Sequence, residues 1–221
     1  MQYGTAVQSW AYVNLKPGVG KTTCAVFTCA ALADRGFRPL LADCDPAASA
    51  LRWSDLAGGF PFPVVGLAVT DVYRRIADVL PAGVDAVVYD VPQIEDHARI
   101  ARGVLRAAGC WVAPVAPSGI EVDRMSRVAD EWEDVQSLRV ARADAVVLLN
   151  RTNRPEATRT GPDSEVRQAL TARGYDVLAT QVPHSDTLYR QAFGCSVDTA
   201  GTSYESLVGE LLARAQARAL A

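Results

Sequence analysis

Six short segments of the chain, at positions 9–15, 38–43, 63–68, 86–90, 110–115 and 145–150, are dominated by apolar residues without regular polar alternation. A strand with one wet face alternates, whereas a strand covered on both faces reads as an unbroken apolar run. Stretches of helical periodicity separate these runs, the clearest at 22–35, rich in alanine and stopped by Gly36. The pattern predicts a doubly wound α/β fold, a mostly parallel sheet with helices on both faces. With 221 residues and no repeat or linker, the expectation is one domain over 1–221. The segment 151–162, with two prolines and a glycine, reads as a mobile surface loop.

Charge and cysteine usage narrow the class. The formal charge of −3 excludes a globally basic nucleic-acid coat. The five cysteines form no CxxC pair, which suits reduced thiols in the cytoplasm, and Cys110 inside an apolar run reads as a buried inert thiol. No apolar run approaches the ~18 residues needed to span a bilayer. More telling is the basic set: of 22 Lys and Arg residues only Lys16 and Lys21 are lysine, and both lie in one glycine-rich stretch.

That stretch is Lys16-Pro17-Gly18-Val19-Gly20-Lys21-Thr22-Thr23, between the first predicted strand and the first predicted helix. Backbone N–H groups at a helix start, with the helix dipole behind them, bind phosphate. Glycines let the backbone approach, a lysine reaches the β- and γ-phosphates, and a Thr hydroxyl ligates Mg²⁺. The strict GxxxxGK[ST] pattern fails, because Leu15 stands at its first glycine. What remains resembles the deviant Walker A motif of the ParA/MinD family of P-loop ATPases, closest to short plasmid-partition ParA proteins. The resemblance implies ATP and Mg²⁺ as cofactors, and implies that Lys16 reaches the nucleotide of a partner subunit. Pro17 departs from the motif, where glycine is usual, and removes one N–H from the loop.

Further segments extend the resemblance to about Gly194. Asp43-Cys44-Asp45-Pro46 is similar to the family's DxDP segment, with Ala47 where glutamine is usual. By resemblance Asp45 positions the attacking water and Asp43 supports the Mg²⁺ shell. Asp90, ending an apolar strand, matches the Walker B acid that holds a Mg²⁺-bound water. Asn150, at another strand end, matches the residue that recognises adenine, and Gln181-Val182-Pro183 with 190–194 matches the segment closing the base pocket.

The resemblance implies an ATPase that forms an ATP-dependent sandwich homodimer, binds DNA non-specifically and partitions or positions a plasmid, chromosome or other large cargo. Hydrolysis would be slow and stimulated by a centromere-binding or adaptor protein, and the ATP state nucleoid-associated in the cytoplasm. So few residues precede the loop that no operator-reading domain is expected. Alternatives are a MinD-like membrane-associated ATPase, a metabolic ligase of the dethiobiotin synthetase or cobyrinate amidase type, and a degenerate nucleotide-binding module. The stretch 204–218 has an apolar face without a strong basic bias, so a helix docked on the sheet is expected and stable membrane association is not. Residues 139–173 hold seven arginines against four acids. Arg151, Arg154 and Arg159, on the predicted loop, are the candidate DNA contacts. His97 and His184 read as surface residues, Trp111 and Trp132 as packing, and Trp53 as an anchor for the loop after Asp45.

Overall fold

The computed structural model describes residues 7–154 and 160–220. In chain order the elements are β1 (Gln8–Tyr12), α1 (Lys21–Asp34), β2 (Pro39–Asp43), α2 (Ser49–Leu56), β3 (Val64–Gly66), α3 (Val72–Val79) and β4 (Ala86–Asp90). Then follow α4 (Ile94–Ala107), β5 (Cys110–Val115), α5 (Gly119–Gln136), β6 (Asp144–Thr152), α6 (Pro162–Ala172), β7 (Val182–Pro183), a π-helical turn (Asp186–Arg190) and α7 (Ser203–Ala219). The strands form one sheet in the order β3-β2-β4-β1-β5-β6-β7, and every pairing is parallel.

Alternate residues of each central strand enter opposite cores. Trp10 and Tyr12 of β1 pack with α1, α2 and α7, whereas Ala11 and the following Val13 pack with α3, α4, α5 and α6. Because both faces are covered, β2, β4 and β5 are buried along their whole length. This is the physical origin of the unbroken apolar runs.

The six predicted strands are all present, β4 and β5 at the predicted bounds, while β1, β2, β3 and β6 differ by one to three residues at one or both ends and a seventh strand is added. β1 stops at Tyr12 rather than Leu15, because its neighbour β4 ends at Asp90, the register partner of Tyr12. Beyond it the Asn14 side chain takes over, donating to the Pro114 carbonyl (2.8 Å) and accepting from Leu15 N (2.6 Å). β6 runs on to Thr152, so the predicted loop begins two residues late. β7 is only two residues long, too short to register as a periodic run.

Helix α7 docks as expected, with Tyr204, Leu207, Val208 and Leu211 buried on the face shared with α1. Its polar face is also tied down. Glu210 accepts from the Ala179 and Thr180 N–H groups, and Arg214 forks onto Asp144 (2.8 and 2.9 Å) and reaches Asp176 (2.6 Å). Among the described residues, no helix is long and apolar enough to cross a membrane.

Helix α4 crosses the segment before α3 so closely that a Cβ at Gly103 would strike the Thr70 carbonyl. Alanine is the better helix former by about 1 kcal/mol, but overpacking against backbone costs about 1–3 kcal/mol. Gly103→Ala should therefore lower unfolding stability by about 1 kcal/mol in urea denaturation. A gain in stability would show that the two segments have room to part.

Candidate functional site

The strands end together at the carboxyl edge of the sheet, where ligands of doubly wound folds bind. The loop after β1 carries Lys16 to Gly20 to the start of α1 at this edge. Gly18 (φ 77°) and Gly20 (φ 94°) adopt the left-handed conformation, and Gly20 is the N-cap of α1. Substitution at Gly20 is blocked twice, since a Cβ there would also lie 2.6 Å from Nδ2 of Asn150. The first turn of α1 has neither an acidic residue nor a side-chain cap. Its N–H groups and positive dipole end thus remain available to an anion.

Lys21 is buried at 6% exposure, and its Nζ donates to the Lys16 carbonyl (3.0 Å), bending the loop back over the helix start. Burial pulls its ammonium below the ordinary lysine range, while Asp90 and Asp45 hold it up. The Lys16 side chain, by contrast, is half-buried and makes no hydrogen bond or ion pair among the described residues. The two lysines therefore differ in kind: one is built into its own site, the other projects from the rim.

Asp90 is 1% exposed, and among the described residues its carboxylate has only the nearby Thr22 hydroxyl to answer it, with no well-formed hydrogen bond to either oxygen. Burial pushes its carboxyl up to about 7; Asp43 and Asp45 act in the same direction, and the adjoining Thr22 and Lys21 oppose them. A buried carboxylate so thinly partnered is costly. Here the missing partner fits a hydrated Mg²⁺, with Thr22 beside it as hydroxyl ligand.

Asp43 is buried, and its carboxylate is met by backbone. One oxygen accepts from Asp45 N (3.2 Å), the other from Ala50 N (2.9 Å) and Leu51 N (3.0 Å). Both oxygens are thereby committed to backbone, capping α2, whose N-cap residue Ala48 supplies no side-chain cap. Burial raises the Asp43 carboxyl and these N–H donors counteract it. Asp43 thus ties the end of β2 to α2 and fixes the loop between. Within that loop Asp45 is half-buried, accepts from Ala47 N through one oxygen (2.9 Å), and lines the phosphate-side cavity.

Two adjoining cavities flank the start of α1. One, of about 490 Å³, is lined by Pro17, Gly18, Lys21 and Asp45 together with Gln93 and His97. The other, of about 520 Å³, is lined by Trp53, Asn150, Pro183, His184, Tyr189 and Phe193, among others. Thr22 and Thr23 line both. The first suits a polyphosphate and the second a flat aromatic base.

Several sequence expectations are corrected here. Asn150 faces the base-side cavity, yet its Nδ2 donates to the Val19 carbonyl (2.8 Å), so part of its amide holds the phosphate loop. His184 is an exposed loop residue, as expected, at the edge of the base-side cavity, while His97 is half-buried and lines the phosphate-side one. His97 does so from a break in α4, where its backbone leaves the helical region (φ −132°, ψ 38°). Trp53 anchors a different loop: its Nε1 donates to the Cys195 carbonyl (2.8 Å) and its ring meets Phe27, Phe60 and Phe193. Trp111 and Trp132 pack in the core as expected, and Cys110 is buried. Phe193 lies in the 190–194 segment expected at the base pocket and lines that cavity, whereas the sequence offered no signal for Ser49, at the start of α2, or Tyr189, in the π-helical turn.

Of the seven arginines at 139–173, four are engaged within the protein. Arg139, Arg167 and Arg173 donate to backbone carbonyls, and Arg142 pairs with Glu133. Arg151 lines both cavities. Arg154 is exposed, and Arg159 lies outside the described residues.

In ligand-free protein the sign of the Asp90 effect is fixed. A carboxyl raised in the folded state contributes most when protonated, so its contribution falls as pH climbs from about 4 to about 7. In chelator-treated protein, Asp90→Asn should gain melting temperature over the parent as pH rises from 5 to 8. Parallel pH profiles for the two would show that Asp90 is not destabilised by burial.

Comparison with known proteins agrees with this geometry. Residues 10–193 match the model of the CobQ/CobB/MinD/ParA nucleotide binding domain. A curated relative, the maintenance of carboxysome distribution protein A of Gloeobacter kilaueensis, is 35% identical over 113 residues, covering 51% of this chain and 50% of that protein. The match thus spans about half the length of that relative. Among solved structures, a cobyrinic acid a,c-diamide synthase from Mycobacterium smegmatis with bound ATP analogue and magnesium superposes with a TM-score of 0.73 at 19% identity, covering 96% of each chain. A plasmid partition protein from Borrelia burgdorferi B31, so described by similarity and bound to AMPPNP, gives a TM-score of 0.70 at 12% identity, covering 96% of this chain and 99% of that one. At such identities the structural likeness is one of fold.

Proposed function

The chain belongs to the CobQ/CobB/MinD/ParA nucleotide-binding family, and from that premise we propose that it is a ParA-type ATPase that positions a large cargo. ATP sits with its phosphates on the 16–23 loop and its base in the cavity beside Trp53 and Asn150. Thr22 and Asp90 would hold Mg²⁺, which when bound would supply positive charge to the phosphates. Lys21 draws the β- and γ-phosphates, and Asp45, which lines the same cavity, orients the attacking water.

The observation that carries the reading is the contrast between the lysines. Lys21 is buried and engaged, whereas Lys16 stands at the rim with no partner among the described residues. A partnerless cation beside its own phosphate site is suited to reach the nucleotide of a second copy. The cobyrinic acid synthase likeness favours a ligase as second reading. A ligase needs a carboxylate substrate and no cation aimed at another subunit. A MinD-like membrane role is disfavoured because α7 buries its apolar face on α1.

Lys16→Gln should keep ATP affinity and lose ATP-dependent dimerisation, read by light scattering of the eluting species. Equal loss of ATP binding in Lys16→Gln and Lys21→Ala would contradict the division of labour. Asp45→Ala should bind ATP, fail to turn it over and accumulate as dimer; turnover at the parental rate would remove Asp45 from the water-positioning role.

DNA binding in this reading is non-specific and falls to the segment from Arg154 through Arg159, doubled in the dimer. Affinity should then require ATP and drop with salt at a log–log slope near −0.9 per phosphate contact. Binding that is indifferent to ATP, or to salt, would place the cargo-carrying surface elsewhere. In this reading the protein works with an adaptor that stimulates hydrolysis, in the cytoplasm and on the nucleoid.

A further inference from the structure

We infer that Arg151 is a nucleotide ligand within its own subunit, gripping the phosphate nearest the ribose. The inference rests on the nucleotide-site reading and assigns to that site a cation that the phosphate loop does not contain.

Three observations converge on this residue. First, Arg151 is one of only two non-glycine residues with positive φ among those described, at 61°. Left-handed backbone is unfavourable for an arginine, and such strain concentrates at functional positions. Second, it is the extra residue of a bulge: Asn150 pairs with Val182 and Thr152 with Pro183, so Arg151 has no register partner on β7. Bulges re-aim a side chain away from the sheet, often beside active sites. Third, Arg151 lines both cavities and is the only charged residue that does. It stands where the base-side and phosphate-side spaces meet.

The guanidinium is also unengaged, with no hydrogen bond or ion pair among the described residues. The neighbouring Arg190, by contrast, is paired with Asp186 (3.2 Å), which also lies 3.4 Å from the His184 ring. Arg151 is an exposed residue whose charge still reaches the buried Cys24 thiol, where burial pushes the pKa up to about 12 and the Tyr204 hydroxyl, then Arg151, oppose the rise. A planar guanidinium suits two phosphate oxygens at once. Because the phosphate next to the ribose is common to ATP and ADP, Arg151 strengthens both alike. This differs from Lys21, which reaches further along the chain, and it removes Arg151 from the set of DNA contacts.

The test is titration of the full chain with ATP and with ADP, each with Mg²⁺, for the parent, Arg151→Gln, Arg151→Gly and Lys21→Ala. Arg151→Gln should weaken ATP and ADP by equal factors of about tenfold, equivalent to ~1.4 kcal/mol. Arg151→Gly should weaken both similarly while raising the melting temperature, because glycine takes the left-handed conformation without strain. Parental affinity for both nucleotides in Arg151→Gln overturns the inference, and with weakened DNA binding it returns the residue to the DNA surface. Loss confined to ATP also overturns it, by moving the contact to the terminal phosphate. A parent that binds neither nucleotide sinks the site reading itself, which separates that failure from the failure of Arg151.

Discussion

A hydrogen bond of 2.8 Å from the Asn150 amide to the Val19 carbonyl joins the end of β6 to the loop after β1. Much of the site depends on it. β1 and β6 are not neighbours in the sheet, since β5 lies between them. The bond bridges that gap above the strand ends, and it does so only because position 20 is glycine, whose missing side chain leaves room for the amide. With Lys21 bonded to the Lys16 carbonyl, the loop is held at both ends before any ligand arrives. Preorganised donors need no rearrangement when a phosphate binds, which is where such sites gain their strength.

The electrostatics of the edge are unbalanced in a consistent direction. Around the start of α1 stand a buried lysine, an uncapped helix dipole and an unengaged arginine, facing the thinly partnered carboxylate of Asp90. Each group alone costs stability in the empty protein. Together they describe the mould of a polyanion with a divalent cation at one end. Asp43 differs from Asp90 in that three backbone N–H groups donate to its carboxylate and tie the loop after β2 to α2.

How much of this was legible in the sequence depends on the range of the contacts. The strands from 86–90 and 110–115 were readable because burial on both faces leaves a local signature. The phosphate loop was readable because its chemistry needs adjacent residues. The capping of α2 by Asp43 was not, since it requires a fold-back that spacing alone does not reveal. Trp53 bonds to Cys195, 142 residues away, and no local pattern announces that partner. The arginine excess at 139–173 was real as a count but misleading as a surface, because Arg139, Arg167 and Arg173 turn inward onto carbonyls. Arg151 read as part of a loop, whereas β6 extends through it and a bulge turns it toward the cavities.

The central claim is that this sheet edge is a site for a nucleoside triphosphate with Mg²⁺. Calorimetric titration of ATP into the full chain, with Mg²⁺ and then with excess chelator, tests it most directly. The account predicts one ATP per chain and an affinity that falls sharply once Mg²⁺ is removed, because Asp90 then faces the phosphates without its counter-ion. Heat of binding that is absent under both conditions would contradict the account, and so would an affinity unchanged by the chelator.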